Sequence, residues 1–197
     1  HMTASHSDSP GFRIKKIKAD GKLYASAEVE GYGGMIMSTW FDRPLSVAGR
    51  ILVREGSEIR TRLVKVGRDL LMIPSLAIHM NRGVNEGYKY NVQKDLLPLY
   101  GDAGVSGTFM DVIAEEAGVD AGNILGHDLF LYPRVRGSIW GKDRCYISSP
   151  RLDDLQCVFA SLKGLISVSS CSQIPMIAVM DNEEVGSTTK QGAASDF

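Results

Sequence analysis

The sequence has little of several features that define whole classes of protein. Its three cysteines, Cys145, Cys157 and Cys171, match no C-x-x-C spacing, so neither a disulfide framework nor a cysteine metal cluster is expected. Its net charge of -1 provides no basic footprint for nucleic acid. Its apolar runs fall well short of the ~20 residues of a membrane span. We therefore expect a cytoplasmic protein with reduced thiols and with no nucleic-acid or membrane partner.

The patterning of the chain predicts an α+β fold with a β-rich middle. The 197 residues, 44% of them hydrophobic, suffice for one or two cores. Strand-like segments separated by turn residues occupy residues 12–17, 24–29, 35–40, 45–54, 59–66 and 128–132. Residues 107–119 read as an amphipathic helix that ends at Gly118. After residue 147 the pattern changes to helix, strand and helix, which is typical of an α/β domain.

The segment richest in chemical groups is Asp181-Asn182-Glu183-Glu184, which follows an apolar run over residues 174–180. Adjacent carboxylates at the end of a buried strand are costly unless a cation meets them or one of them serves as a base. The chain turns at the end of a strand, so both glutamates can reach one cleft. The pair therefore indicates a metal ligand beside a general base, although a solvated Glu-Glu pair in a turn would look the same.

Two further motifs suit a metal site. His6 and Asp8 form a His-x-Asp pair, the usual pattern of an imidazole ligand with a carboxylate that orients its ring. Asp153 and Asp154 open a predicted helix. Its apolar face comprises Leu155, Val158, Phe159, Leu162, Leu165 and Ile166. The acidic pair has a second interpretation, in which both residues only cap this helix and complement its dipole.

Together with longer blocks of sequence, these motifs resemble the aspartyl aminopeptidase family, zinc-dependent metallopeptidases with two co-catalytic metal ions. The matching blocks follow the family's order at residues 4–10, 30–34, 39–50, 73–82, 84–86, 96–98, 150–153 and 181–187. They cover nearly the whole chain. The block at 39–50, TWFDRPLSVAGR, is far more specific than a zinc-ligand spacing.

The resemblance implies a role for each motif residue. His6 is expected to bind one zinc ion, with Asp8 as the carboxylate behind it. Asp153 is expected to bridge the two ions, and Glu184 to bind the second. Glu183 is expected to be the general base that takes a proton from the attacking water.

The roles of His79 and Asp154 are less directly indicated by the sequence. The apolar run around His79 predicts a core histidine bonded to backbone groups. The resemblance implies instead that His79 lies on a dimerisation domain, reaches the partner subunit's active site and polarises the substrate carbonyl, and we favour this role. Asp154 stands where the family usually has Asn, so its role stays open.

The resemblance also implies the domain organisation. A β-rich dimerisation domain at residues 19–147 is expected to interrupt fragments of an α/β zinc-peptidase domain at residues 3–18 and 148–197. The family's other two metal ligands, an Asp and a His, follow the Glu-Glu motif at positions beyond Phe197, so we expect an incomplete chain without activity of its own. His1-Met2 reads as a cloning remnant. Homo-oligomers are expected, at least dimers, as the family forms dodecamers.

Three functions remain open on the sequence alone. The first is a zinc aminopeptidase that removes N-terminal residues from peptides, with acidic residues the family's characteristic preference. The second is an assembly module that pairs subunits and does no chemistry. The third is a related dinuclear zinc hydrolase acting on another amide, such as an amidohydrolase or a deacetylase. The long non-catalytic blocks favour the first for the parent enzyme, and the missing ligands favour the second for this chain alone.

Overall fold

The structure, a computed structural model, describes residues 1–196, apart from the side chain of Asp20. The chain separates into two compact units. The first unit comprises residues 1–10, 32–35 and 136–197, and the second comprises residues 11–31 and 36–135. The prediction of a mixed α+β chain is confirmed. The division at residues 18 and 147, and the role of the middle part in dimerisation, stay predictions.

The second unit is built on a six-stranded sheet. Its strands are β2 (Gly11–Asp20), β3 (Tyr24–Tyr32), β4 (Leu45–Glu55), β5 (Glu58–Lys65), β6 (Leu99–Asp102) and β7 (Ile124–Pro133). They lie in the order β5-β4-β7-β2-β3-β6. The pairs β4–β5, β4–β7, β2–β7 and β3–β6 are antiparallel. A short helix, α1 (Val92–Asp95), precedes β6, and α2 (Phe109–Ala117) precedes β7.

Strand β4 shows how the sequence forms this sheet. Leu45, Val47, Ile51 and Val53 are buried, at the odd positions that alternation places on one face of a strand. Gly49 interrupts this series because β7 passes very close to it. A Cβ at Gly49 would lie 2.1 Å from the carbonyl oxygen of Asp128, so only glycine fits this crossing.

Helix α2 confirms the amphipathic pattern read from the sequence. Phe109, Ile113 and Ala114 are its buried residues. The helix ends at Gly118, whose backbone has the left-handed φ of 66° and whose N–H is shared by the carbonyls of Ala114 and Glu115. Glycine adopts this conformation without a Cβ penalty, which is why the helix ends there.

One predicted strand is wrong. Within residues 35–40 the chain forms a 3₁₀ turn at Met37–Trp40. Both the N–H and the side-chain hydroxyl of Thr39 donate to the carbonyl of Ile36, at 3.1 and 2.7 Å. The turn buries Trp40, whose ring packs edge-on against Phe12 with centroids 5.0 Å apart. Apolar residues that a turn buries give a sequence pattern similar to that of a buried strand.

The first unit contains a small parallel sheet and one long helix; the second helix predicted after residue 147 is wrong, because within the described residues only a short 3₁₀ turn, Glu183–Val185, follows the last strand. Strands β1 (Met2–His6) and β10 (Met176–Met180) pair in parallel, with His6 opposite Met180. Helix α3 (Leu152–Ile166) packs against both strands. A hairpin of β8 (Ser138–Trp140) and β9 (Tyr146–Ser148), absent from the predicted elements, precedes the helix.

Helix α3 turns the less apolar of its faces toward the small sheet. Its half-buried positions are Asp154, Val158, Ser161 and Leu165, which share one face by their spacing of three and four residues. The large apolar residues of the predicted inner face are mostly exposed, at 42% for Leu155, 66% for Phe159, 42% for Leu162 and 69% for Ile166. The predicted helix exists, but none of its residues is fully buried.

The three cysteines are free thiols on the surface. Over residues 1–196, no helix has the length and apolar character needed to cross a membrane.

Candidate metal centre

The site forms where strands β1 and β10 end side by side. Carboxyl ends of parallel strands meet at the same edge of a sheet, and the residues that follow them share a crevice there. The N–H of Ser7 donates to the carbonyl of Met180 at 3.0 Å and extends the pairing by one step. Asp8 therefore comes next to the 3₁₀ turn Glu183–Val185 that follows β10.

Two left-handed residues shape this turn. Asn182 has a φ of 61° and Gly186 a φ of 103°. Asparagine tolerates this region because its short side chain bonds locally, and glycine has no Cβ to clash. The reversal of the chain at Asn182 presents the N–H groups of Glu183 and Glu184 to Asp8.

The carboxylate of Asp8 accepts three hydrogen bonds from other residues of the first unit. Its side chain is 7% exposed. The N–H of Glu183 donates to Oδ1 at 3.2 Å, and the N–H of Glu184 donates to Oδ2 at 3.1 Å. Tyr32 donates its hydroxyl to Oδ2 at 2.7 Å. Burial raises the pKa of Asp8, but the hydrogen bonds from Tyr32, Glu184 and Glu183 outweigh it and hold the pKa below its usual range.

His6 lies among three carboxylates. Its Nδ1 is 3.1 Å from the carbonyl oxygen of Asp8 and 3.3 Å from Oδ1 of the same residue. Its Nε2 is 3.1 Å from Oδ1 of Asp153 and 3.8 Å from Oε2 of Glu183. With the proton on Nδ1 donated to Asp8, Nε2 presents a lone pair to the carboxylates, as in metal-binding histidines.

The same surroundings shift the pKa of His6. Burial lowers the pKa of His6, but the bond to the Asp8 carbonyl, the negative charges of Asp8 and Glu183, and the hydrogen bond to Asp153 outweigh it, and the net pKa is raised. A proton and a metal ion compete for the same Nε2 atom. The site thus attracts positive charge in either form.

The two glutamates complete a group able to hold a cation. One ligand atom each from His6, Glu183 and Glu184 lies within 4.8 Å of the others. Burial and the nearby charges of Asp153 and Glu183 raise the pKa of Glu184, which is the signature of crowded carboxylates. Imidazole nitrogen and carboxylate oxygen are typical zinc ligands, so this donor set fits a divalent cation.

Asp153 and Asp154, the acidic pair at the start of α3, contact different groups. Asp153 and Asp154 both have non-helical backbone angles, so the regular helix begins after them. Asp154 accepts the backbone N–H of His6 at 3.2 Å, and hydrogen bonds from Cys157 lower its pKa most. The side chain of Asp153 is 86% exposed and points its carboxylate at His6. The two carboxylates thus face different groups, and the capping interpretation stays a prediction.

Five of the predicted site residues come together in the first unit. They are His6, Asp8, Asp153, Glu183 and Glu184. His79 belongs to the second unit, where it lies exposed on a turn closed by the N–H of Met80 and the carbonyl of Ala77. The interpretation of His79 as a core histidine is wrong, because the turn carries its side chain into solvent. Its action on a partner subunit stays a prediction.

Sequence patterns predict no role for Tyr32 and Asn182, although Tyr32 contacts Asp8 and Asn182 contacts Tyr32. Tyr32 lies at the end of a strand and directly before Gly33-Gly34, a combination that predicts a sharp turn. Asn182 precedes the Glu-Glu pair, where an Asn in a turn predicts a left-handed residue. Both patterns predict turns, but neither predicts that Tyr32 contacts both Asp8 and Asn182.

Comparisons with known proteins place similar sequences in one family. A family profile described as aminopeptidase I zinc metalloprotease (M18) matches residues 1–197. A probable M18 family aminopeptidase 2 of Clostridium acetobutylicum is 46% identical over 204 residues, covering 100% of this chain and 47% of the relative. An aspartyl aminopeptidase of Aspergillus oryzae is 35% identical over 240 residues, covering 99% of this chain and 48% of the relative.

A solved structure shows the same fold. The chain superposes on the S. cerevisiae mApe1 dodecamer structure with a TM-score of 0.77 at 27% identity, covering 98% of this chain and 45% of the other. The chain thus spans about half the length of the curated relatives it matches.

Proposed function

Because the chain belongs to the M18 family of aminopeptidase I zinc metalloproteases, we propose that it forms part of an aminopeptidase that removes N-terminal residues from peptides, acidic residues by preference. The observation that carries the proposal is the cluster of His6, Glu183 and Glu184, with ligand atoms within 4.8 Å of one another. The aspartyl aminopeptidase among the relatives supports the acidic preference.

In this proposal two zinc ions bind at the cluster. His6 would hold one ion through Nε2, Glu184 would hold the other, and Asp153 would be a ligand of both. Bound zinc would supply Lewis-acid chemistry toward the scissile carbonyl. The protein's own contribution begins with Asp8, which holds the neutral His6 ring by the proton on Nδ1, so that Nε2 is the nitrogen left to bind an ion.

Glu183 is the proposed general base. Its side chain is 53% exposed, so water and substrate can reach its carboxylate, while its backbone N–H is anchored on Asp8. An anchored backbone with an open carboxylate suits a group that must exchange a proton with solvent during each turnover. Glu184, anchored in the same way but more buried, suits a ligand.

The assembly is also part of the proposal. One solved relative is a dodecamer, and we propose that this protein is a homo-oligomer whose second unit is the dimerisation domain. His79, exposed on that unit, would then act at the active site of a neighbouring subunit. The cytoplasmic location expected from the composition stays a prediction.

Two substitutions test the roles in a protein of the relatives' full length. Glu183→Gln should keep zinc but lose at least ~100-fold in kcat, because an amide cannot take the water's proton. Asp153→Ala should lose zinc as well, because both ions depend on the bridge. Zinc is measured by atomic absorption after dialysis, and turnover with an aspartyl-peptide substrate.

The matched control is Glu116→Gln, which makes the same change at an exposed position of α2 and should alter neither zinc content nor turnover. Equal loss of zinc in Glu183→Gln and Asp153→Ala would contradict the division into base and ligand. An active Glu183→Gln enzyme would contradict the assignment of the base.

A further inference from the structure

The hydroxyl of Tyr32 joins the two loops of the candidate metal centre. It is 2.7 Å from Oδ2 of Asp8 and 2.9 Å from Oδ1 of Asn182. The amide nitrogen of Asn182 is in turn 2.7 Å from the hydroxyl of Thr189. All four residues belong to the first unit. None of them except Asp8 has a place in the proposed chemistry.

The number of hydrogens on each group determines which residue donates in each of these hydrogen bonds. A phenol carries one hydrogen, and an ionised carboxylate only accepts, so Tyr32 donates to Asp8. The oxygen and nitrogen of an Asn amide are assigned by their partners. With the amide turned over, the NH₂ group of Asn182 donates to the Tyr32 oxygen, and the Thr189 hydroxyl donates to the Asn182 carbonyl. Each of the three contacts between Thr189 and Asp8 then has one donor and one acceptor.

The end of this chain is the carboxylate that positions the centre. Asp8 contacts the ring of His6 and accepts the N–H groups of both Glu183 and Glu184. Of the bonds to Oδ2, that from Tyr32 is the shorter, at 2.7 Å against 3.1 Å from Glu184. Without the hydroxyl, this nearly buried carboxylate loses the shorter of its two bonds to Oδ2 and is held less tightly.

We propose that Tyr32 is a positioning residue of the metal centre: its hydroxyl, oriented by Asn182 and Thr189, fixes the Asp8 carboxylate and thereby places the Glu183–Glu184 turn and the His6 ring. The part of this proposal that concerns metal rests on the proposed function. The hold of Tyr32 on Asp8 and on the turn does not require a metal.

The first test follows the turn without metal. Tyr32→Phe removes only the hydroxyl. Amide hydrogen exchange of the present chain, followed by NMR in the presence of a chelator, should become about 5-fold faster at Glu183 and Glu184, as loss of one hydrogen bond predicts. Exchange at Ile177 and Ala178 in β10 should stay unchanged. Asn182→Asp, which cannot donate to Tyr32, should shift the same two amides in the same direction.

The second test measures affinity for Co²⁺ alone, by titration of its visible absorption. Tyr32→Phe should weaken Co²⁺ binding about 10-fold, the usual effect of removing a partner behind a metal ligand. The matched control is Tyr88→Phe, which removes a hydroxyl that donates to Asp95 at 3.3 Å in the second unit. This control should change neither measurement.

The two tests separate the positioning role of Tyr32 from the binding of metal. Unchanged exchange at Glu183 and Glu184 in Tyr32→Phe would overturn the proposal whatever the affinity for Co²⁺. Faster exchange throughout β1 and β10 would also overturn it, because Tyr32 would then be a general stabilising residue. If the unsubstituted chain binds no Co²⁺ at all, the part of this proposal that concerns metal fails for this chain, while the exchange data still decide whether Tyr32 positions the turn.

Discussion

At the scale of single residues, Gly33 sets how closely the chain approaches Glu184. Its φ is +71°, and a Cβ at this position would lie 3.0 Å from the Cβ of Glu184 and 3.1 Å from its carbonyl oxygen. Both the conformation and the contact therefore require glycine. Because Gly33 follows Tyr32, the same short segment holds Asp8 through a side chain and Glu184 through close backbone packing.

We expect Gly33→Ala to destabilise the protein and weaken Co²⁺ binding together. The left-handed backbone should cost about 1–2 kcal/mol in the free energy of unfolding, and the new methyl group should displace Glu184. Urea denaturation and Co²⁺ titration measure the two effects. The control is Gly56→Ala, which has a φ of +64° and nothing within 4 Å of the added Cβ.

Gly56→Ala should reproduce the backbone cost without the loss of affinity. If Gly33→Ala and Gly56→Ala proved equal in both measurements, contact with Glu184 would have no part in the effect.

At the scale of secondary structure, the start of helix α3 joins stability to the site. The Asp154 carboxylate accepts the N–H of His6 at 3.2 Å, and Cys157 lowers its pKa, so this side chain lies between the first turn of the regular helix and the end of β1. Asp153, one residue earlier, is left to face His6 Nε2. The departure from Asn at position 154 is therefore conservative in structure, because Asp and Asn are equally good helix caps.

We expect Asp154→Asn to keep the free energy of unfolding within about 0.5 kcal/mol, and Asp154→Ala to lower it by about 1 kcal/mol, the typical value of a cap. Urea denaturation monitored by circular dichroism measures both. A stable Asp154→Ala variant would show that this residue does not cap α3. Asp153→Ala serves as the comparison, since Asp153 makes no capping contact and should leave stability nearly unchanged.

The exposed face of α3 predicts the behaviour of the chain in solution. Leu155, Phe159, Leu162 and Ile166 form an apolar stripe, and contiguous apolar surface favours association. We expect Phe159→Glu to reduce the weight-average mass seen by light scattering at high micromolar concentration. Ala160→Glu adds the same charge one position away from the stripe and should have no such effect. An unchanged mass in Phe159→Glu would assign association to another surface.

At the scale of the whole molecule, the number of metal ligands limits what this chain can do alone. By the proposed roles it supplies His6, Asp153 and Glu184 as direct ligands, so that each of two ions has two protein ligands at most, counting the bridge. Catalytic zinc sites typically use three protein ligands and leave one position for water. Binding by so few ligands is weak and easily reversed.

We therefore expect the purified chain to show no hydrolysis of aspartyl-peptide substrates and to lose zinc to a chelator. Activity is assayed at increasing concentrations of the chain, and zinc is measured after dialysis against EDTA. A rate proportional to the concentration of the chain, together with stoichiometric zinc after dialysis, would contradict this prediction. It would mean that further ligands come from within these residues or from a neighbouring copy.

Local patterns in the sequence determined much of this molecule. The alternation of Leu45, Val47, Ile51 and Val53 predicts β4, since a strand has a period of two residues. Gly118 marks the end of α2 because it alone can adopt the required backbone without strain. The acidic residues that directly follow the apolar run at residues 174–180 predict a site at the end of β10, because their position relative to the strand can be read from the sequence.

Only the tertiary structure decided which of these groups meet. The turn at Met37–Trp40 replaces a predicted strand because Phe12, distant in sequence, receives the ring of Trp40. Tyr32 reaches Asp8 across 24 positions of sequence, and nothing local to either residue specifies that contact. The sequence determines periodicity, turns and the supply of ligands, since these depend on neighbours along the chain. Which hydroxyl holds which carboxylate depends on how separate strands pair, and folding alone decides it.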